Sequence, residues 1–293
     1  MTLVFAISAV PAAAQDADEG ISNEADSLLL GGGKLLLTNG VSSIEGASGG
    51  GIATWATIGG LEMDKGVGVT GHVTVVELPD FGWQSHGVAV GIADRVELSY
   101  GRQNFDTRDV GAALGLGQGY TFNQDVFGAK LKLAGDLVYG DPLLPQISVG
   151  VQHKRSRDRA IVTAIGAESG TGTDFFVSAS KLFLSHSVLA SATLRYTSAN
   201  QAGLLGFGNA ADDDREVQFE GSVAYQMSRR AVIGAEFRSK PDNLGLGEDD
   251  WMDIFAAYAL TDNLTVTAAY ADLGSIATFE KQRGAYFSAQ IAF

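Results

Sequence analysis

Segments of about ten residues, in which apolar and polar side chains alternate and each segment ends in a turn, recur from about residue 34 to the end of this chain. Val188, Ala190, Ala192, Leu194 and Tyr196 alternate with Ser191, Thr193, Arg195 and Thr197. Leu264, Val266, Ala268 and Tyr270 alternate in the same way with Thr265, Thr267 and Ala269. A period of two places each set on opposite faces of a sheet. The 38 glycines among 293 residues point the same way, since Gly inside a helix costs about 1 kcal/mol relative to Ala.

Fourteen segments fit the pattern: 34–43, 52–58, 67–76, 83–92, 96–105, 125–134, 146–154, 174–183, 187–197, 216–227, 231–239, 250–260, 264–273 and 284–293. The first three carry it most weakly, because Gly31 to Gly51 is rich in glycine. Turn lengths alternate as well. Tight turns fall near 93–95, 185–187, 228–230 and 261–263, and longer loops near 105–124, 155–173, 198–215, 240–249 and 274–283. Short connections on one side and long ones on the other mark an outer-membrane barrel. Aromatic residues fall near both ends of the strands, with Tyr100, Tyr196, Phe237 and Tyr270 towards the long loops and Phe183, Tyr225, Tyr258 and Phe293 towards the short turns. Girdles at two membrane interfaces have that placement. The expected fold is all-β: a transmembrane, antiparallel, up-and-down β-barrel of about 14 strands. Twelve strands result if an early segment lies in the lumen as a plug.

Ahead of the barrel, Leu3 to Val10 is a short apolar run, and Ala12-Ala13-Ala14 before Gln15 has the form of an export cleavage site. Residues 1–14 are therefore expected to be a signal peptide whose basic leading region is missing. Residues 15–33, acidic and then Gly-rich, read as a flexible periplasmic segment or plug, and 34–293 as the barrel. A net charge of -14 argues against a nucleic-acid partner, and the lack of Cys excludes thiolate metal sites.

The alternation turns Lys130, Lys132, Gln152, Lys154, Arg195, Glu220, Glu236 and Arg238 inward. These residues would give a hydrated lumen electrostatic selectivity, or pair across strands and rigidify a closed interior. The basic run His153–Arg159 could set Lys154, Arg155, Arg157 and Arg159 against lipopolysaccharide phosphates, or form a solvated loop partly balanced by Asp158. The acidic tips Asp212-Asp213-Asp214 and Glu248-Asp249-Asp250 lack the spaced ligands of a calcium loop, so no metal or cofactor is expected. Catalysis finds little support. His72 and His86, on adjacent strands, offer the least implausible Ser–His pairing for a lipid hydrolase embedded in the barrel, and the chain is expected not to be an enzyme.

Long stretches resemble a known family: "GKLLLTNGVSSIEGASGGG" (33–51), "DRVELSYGRQNFDT" (94–107), "GAALGLGQGYTFNQDVFGAKLKL" (111–133), "LPQISVGVQHKR" (144–155), "NQAGLLGFG" (200–208), "SKPDNLG" (239–245) and "DLGSIATFEKQRGAYFSAQIAF" (272–293). Together they are similar to the Gram-negative domain-of-unknown-function family 3034. The resemblance implies exported outer-membrane proteins with no assigned substrate, and it supplies no catalytic residues. The ending Tyr286, Phe287, Ile291, Phe293 also resembles the terminal-aromatic signal read by the barrel assembly machinery. The expected role is a channel or transporter for small solutes. A structural or adhesive barrel that binds lipopolysaccharide or envelope partners is the first rival, and a soluble exported β protein the last.

Overall fold

The computed structural model describes residues 34–63, 65–209 and 214–293. The signal-peptide and 15–33 expectations, with Asp212 and Asp213, lie outside the described residues. Two short strands, β1 (Val41–Ser42) and β2 (Ser48–Gly49), pair with each other. Twelve longer ones follow: β3 (Val67–Glu77), β4 (Gly82–Ile92), β5 (Val96–Asp106), β6 (Thr121–Ala134), β7 (Gln146–Ser156) and β8 (Thr171–Phe183), then β9 (Val188–Thr197), β10 (Glu216–Ser228), β11 (Ala231–Arg238), β12 (Trp251–Ala259), β13 (Leu264–Asp272) and β14 (Arg283–Ala292). Each pairs antiparallel with the next, and β14 returns to β3 with Phe287 opposite Val75 and Gln290 opposite His72. The sheet is a closed barrel. Closure leaves no edge, and only an edgeless ladder satisfies its backbone in hydrocarbon.

The segments 34–43 and 52–58 are therefore not barrel strands, and the barrel has twelve strands rather than fourteen. Their small residues, Gly40, Ser42 and Ser43 in the first and Ala53 and Ala56 in the second, suit close packing inside a narrow barrel. From Thr38 to Gly60 every residue is buried, because this segment fills the lumen.

Outside and inside are inverted relative to a soluble protein. Val73, Leu194, Val223, Ile254 and Phe287 stand exposed on the outer wall, while Gln103, Gln124, Gln152, Lys154 and Arg195 are fully buried within. Tyr196 and Tyr270 ring one end, and Phe183, Tyr225, Tyr258 and Phe293 the other. Tyr100 does not sit at a rim: it lies mid-strand opposite Phe127 and donates to the Asp125 carboxylate at 2.8 Å. Among the described residues no helix is long and apolar enough to cross a membrane.

The connections keep their sidedness with two exceptions: the β3–β4 turn (78–81) is short on the long-loop side, and the β6–β7 loop (135–145) is long on the short-turn side. At the β4–β5 turn Ala93 and Asp94 both take positive φ, and Arg95 N–H returns to the Ile92 carbonyl at 2.9 Å. That is the left-handed geometry matching the twist of two paired strands. The long loops carry two short helices, α1 (Arg108–Ala113) and α2 (Arg159–Ala164).

Candidate functional site

The lumen is closed by two inserted segments. From the short-turn side, residues 34–62 rise into the barrel and turn through the β1–β2 hairpin. Its tip is closed by Ser43 N–H to the Ala47 carbonyl (2.8 Å) and Gly46 N–H to the Ser43 carbonyl (2.8 Å), which leaves Glu45 at the apex. Gly46 has φ +93°, and a Cβ there would come within 2.9 Å of the Gly101 backbone on β5. Two glycines facing each other let the hairpin press directly on the wall. From the long-loop side, the β9–β10 loop folds inward, and residues 197–208 are buried.

Glu45 lies at the centre of a charge cluster. Arg238 meets its carboxylate at 3.0 Å, Arg195 at 3.5 Å, and Lys154 bonds to it directly. Lys154 also contacts Asp174 (2.7 Å), and Arg195 reaches Glu220 (2.5 Å) and Asp174 (3.3 Å). Three cations thus face three carboxylates out of contact with solvent, and Glu45 is the charge that the inserted segment adds. The Ala202 carbonyl of the inward loop caps Lys154 from the other side at 3.1 Å.

The rest of the contact between segment and wall is also polar. Glu236 accepts the Ile52 N–H (2.8 Å), Glu220 the Thr54 N–H (2.6 Å), and Glu97 the Gly59 N–H (2.7 Å). Lys130 donates to the Ser48 and Thr57 carbonyls, each at 2.7 Å. Gly50 is required beside Glu236, since a Cβ there would fall 1.6 Å from the Glu236 carboxylate. Above this layer Ile44 and Ile52 join an apolar cluster with Trp83, Trp251, Phe105 and Leu204.

All eight residues read as inward do face inward. Seven lie in the layers just described, with Gln152 accepting from Arg195 at 2.6 Å. Lys132 sits at the short-turn rim, paired with Asp94 at 2.6 Å. Of the residues read as lipopolysaccharide contacts, Arg155, Arg157 and Arg159 are exposed. Lys154 is a correction: strand parity turns it into the lumen, where it is fully buried and cannot reach lipid. His72 and His86 are likewise separated, because His72 pairs with Gly87 and His86 with Val73, so one side chain faces the lumen and the other the outer wall. Inside the lumen His72 Nε2 lies 3.3 Å from the Ser85 hydroxyl, which donates to the Ile44 carbonyl at 2.6 Å. On β14, Tyr286 points inward, whereas Phe287 and Ile291 face out.

At the outer rim, Glu248 is taken up by Lys240 at 3.2 Å. Burial pushes the Glu248 carboxyl up and the Lys240 ammonium down, each partly offset by the other's charge. Among the described residues no group of three His, Cys, Asp or Glu is placed to hold a metal ion.

The sequence reading missed Glu45. Its signal was a lone acid among glycines and small residues, in a chain whose inward faces carry Lys130, Lys154, Arg195 and Arg238.

A closed twelve-stranded wall with an apolar outer belt and a charged interior defines an outer-membrane β-barrel. The chain belongs to the family described as "Protein of unknown function (DUF3034)", whose model matches residues 38–290 and so takes in the lumen segment as well as the wall. A search of curated protein sequences finds no match. Among solved structures, the KdgM porin is similar at 9% identity and a TM-score of 0.51, covering 76% of this chain and 99% of its own. A KdgM porin in complex with disordered oligogalacturonate gives 8% and 0.50 over 76% and 99%. The NanC porin gives 12% and 0.46 over 78% and 98%. At these identities the likeness establishes the fold alone.

Proposed function

We propose that this protein is an outer-membrane transporter for small solutes, held shut by residues 34–62 and opened when that segment moves. The supporting observation is the chemistry of the contact between segment and wall. A permanently filled barrel gains at least as much from apolar packing, since replacing buried ion pairs by well-packed hydrophobic side chains is often neutral or stabilising. Here the wall instead presents Lys130, Lys154, Arg195, Glu220, Glu236 and Arg238 to the segment's backbone and to Glu45. A wall of that kind can be rehydrated when vacated, and its charges would then select among solutes. Planar-bilayer recordings test this. Discrete openings that become more frequent when segment contacts are weakened support it. Silence from both wild type and Glu45→Gln, each shown to be folded by a heat-dependent gel shift, refutes it.

A second reading, adhesion to lipopolysaccharide, is favoured by the outer wall. His86, Arg102, Asp125 and Arg155 stand opposite one another across β4 to β7 and form an outward row above the apolar belt, beside Arg157. Arg102, Arg155 and Arg157 outnumber Asp125 there, an arrangement suited to lipid phosphates. Loss of co-purifying lipopolysaccharide in the triple variant Arg102→Ala, Arg155→Ala, Arg157→Ala would support this role, and unchanged lipid content would remove it.

A further inference from the structure

Above the lumen segment, on the long-loop side, lies a cavity of about 220 Å³. Phe81, Trp83, Phe105, Phe122 and Leu204 form its walls, and Gln201, Thr107 and Thr278 contribute the polar groups. Leu114 and Ile165 stand at its lip, each the residue that ends a short helix (α1 and α2), and they are 49% and 43% exposed. No lining residue carries a charge.

We infer that this cavity is a binding site for a neutral, apolar small molecule, most suitably one substituted aromatic ring bearing a single hydrogen-bond acceptor. As an outer recognition site for transport it rests on the reading above; as a binding site it stands independently. Size sets the first limit: an apolar cavity of about 150 Å³ takes up benzene, so this one holds a ring with a short substituent. Charge sets the second, because an ion buried here would meet no counter-charge and would lose its hydration uncompensated. Hydrogen bonding sets the third. The Thr107 hydroxyl is committed to the Tyr120 carbonyl at 2.7 Å, and the Gln201 amide to the Ser275 carbonyl (3.2 Å) and Lys240 (3.1 Å). The Thr278 hydroxyl, at the exposed mouth, has no hydrogen-bond partner among the described residues. The walls thus leave few polar groups for a guest, too few for a sugar. The aromatic faces of Phe81, Phe105 and Phe122 suit a ring, which packs on them edge-on or offset.

The backbone is shaped for this cavity. Gln201 and Ala202 take positive φ of 45° and 57° in succession, a conformation that costs free energy in residues other than Gly. It turns the inward loop so that Gln201 and Leu204 line the mouth.

The test uses the full-length protein in lipid nanodiscs and fluorine NMR of 4′-fluoroacetophenone. Its comparators are 4-fluorobenzoate, which is charged, and 1-ethyl-4-fluorobenzene, which lacks the acceptor. Saturable binding of the ketone is expected. It should weaken at least tenfold in Leu204→Trp, which fills the cavity, and in Leu114→Trp, which narrows only the exposed lip. Thr278→Val should weaken the ketone several-fold and leave ethylfluorobenzene unchanged. Absence of saturable binding to wild type, undiminished binding in folded Leu114→Trp, or benzoate binding as tight as the ketone would each overturn the inference. Binding by a barrel that never conducts supports the site and removes only the transport reading.

Discussion

Replacing Glu45 by Gln removes one charge from the lumen and leaves the side chain's size unchanged. In the wild type Lys154, Arg195 and Arg238 are balanced by Glu45, Asp174 and Glu220, all at side-chain exposures of 4% or less. The variant leaves one uncompensated positive charge in a site closed to water. Truncating one partner of a buried pair costs about 3–5 kcal/mol. Glu45 belongs to the inserted segment and the remaining charges to the wall, so the loss falls on the seating of the segment. At about 1.4 kcal/mol per decade, the ratio of open to closed barrels should rise by roughly two to three and a half decades. Single-channel recording measures that ratio as open probability. Adding Lys154→Gln to the variant restores the balance and should recover part of the closure, a coupling of about 0.5–3 kcal/mol in a double-mutant cycle. An open probability in folded Glu45→Gln indistinguishable from wild type would refute the reasoning, as would a double variant more open than the single one.

Three further outcomes are expected. Deleting Phe293 removes the Phe293 N–H bond to the Val69 carbonyl (2.8 Å) and the carbonyl that accepts from Val69 and Leu61 (both 3.0 Å); the heat-shifted, inserted fraction should fall far more than the conduction of the molecules that do insert is altered. Ile254, 70% exposed in the middle of β12, faces lipid; Ile254→Arg should cost about 2–4 kcal/mol, read by denaturant unfolding in vesicles. In the β6–β7 loop, burial raises the Asp136 carboxyl, but the Tyr139 and Val138 N–H groups and Lys132 outweigh it and hold it below the ordinary value of 3.8. Its contribution to loop stability is therefore complete above that value and is lost as pH falls towards the folded one. NMR shifts of Val138 and Tyr139 should follow that loss, and Asp136→Asn should abolish it.

The wall was legible in the sequence because a period of two survives any choice of neighbour, and all twelve strands lie where the alternation put them. Of the two counts the sequence allowed, the structure has the twelve-strand one, with 34–43 and 52–58 in the lumen; alternation alone cannot tell a lipid-facing strand from a chain packed inside the barrel. Gly40, Ala53 and Ala56 were the physical clue: residues this small present little apolar surface to lipid. The inward charges were legible by parity, which also exposes the double use of Lys154, since one side chain cannot face both lumen and lipid. Their partners were not legible, because Glu45 meets Lys154 and Arg238 across 109 and 193 residues of chain. The mouth cavity was hidden for the same reason. Leu114, Ile165, Leu204, Leu246 and Ile276 come from five separate loops, and each alone reads as an incidental apolar residue.

The central claim is that residues 34–62 close the pore, and a disulfide tests it most directly, since the native chain has no Cys. The Ala56 N–H donates to the Ser180 hydroxyl of β8 at 2.9 Å, so the pair Ala56→Cys and Ser180→Cys would fasten the segment to the wall. Single-channel recordings of the oxidised protein should be silent, and reductant should restore openings. Equal conductance with the bond formed and broken would contradict the claim.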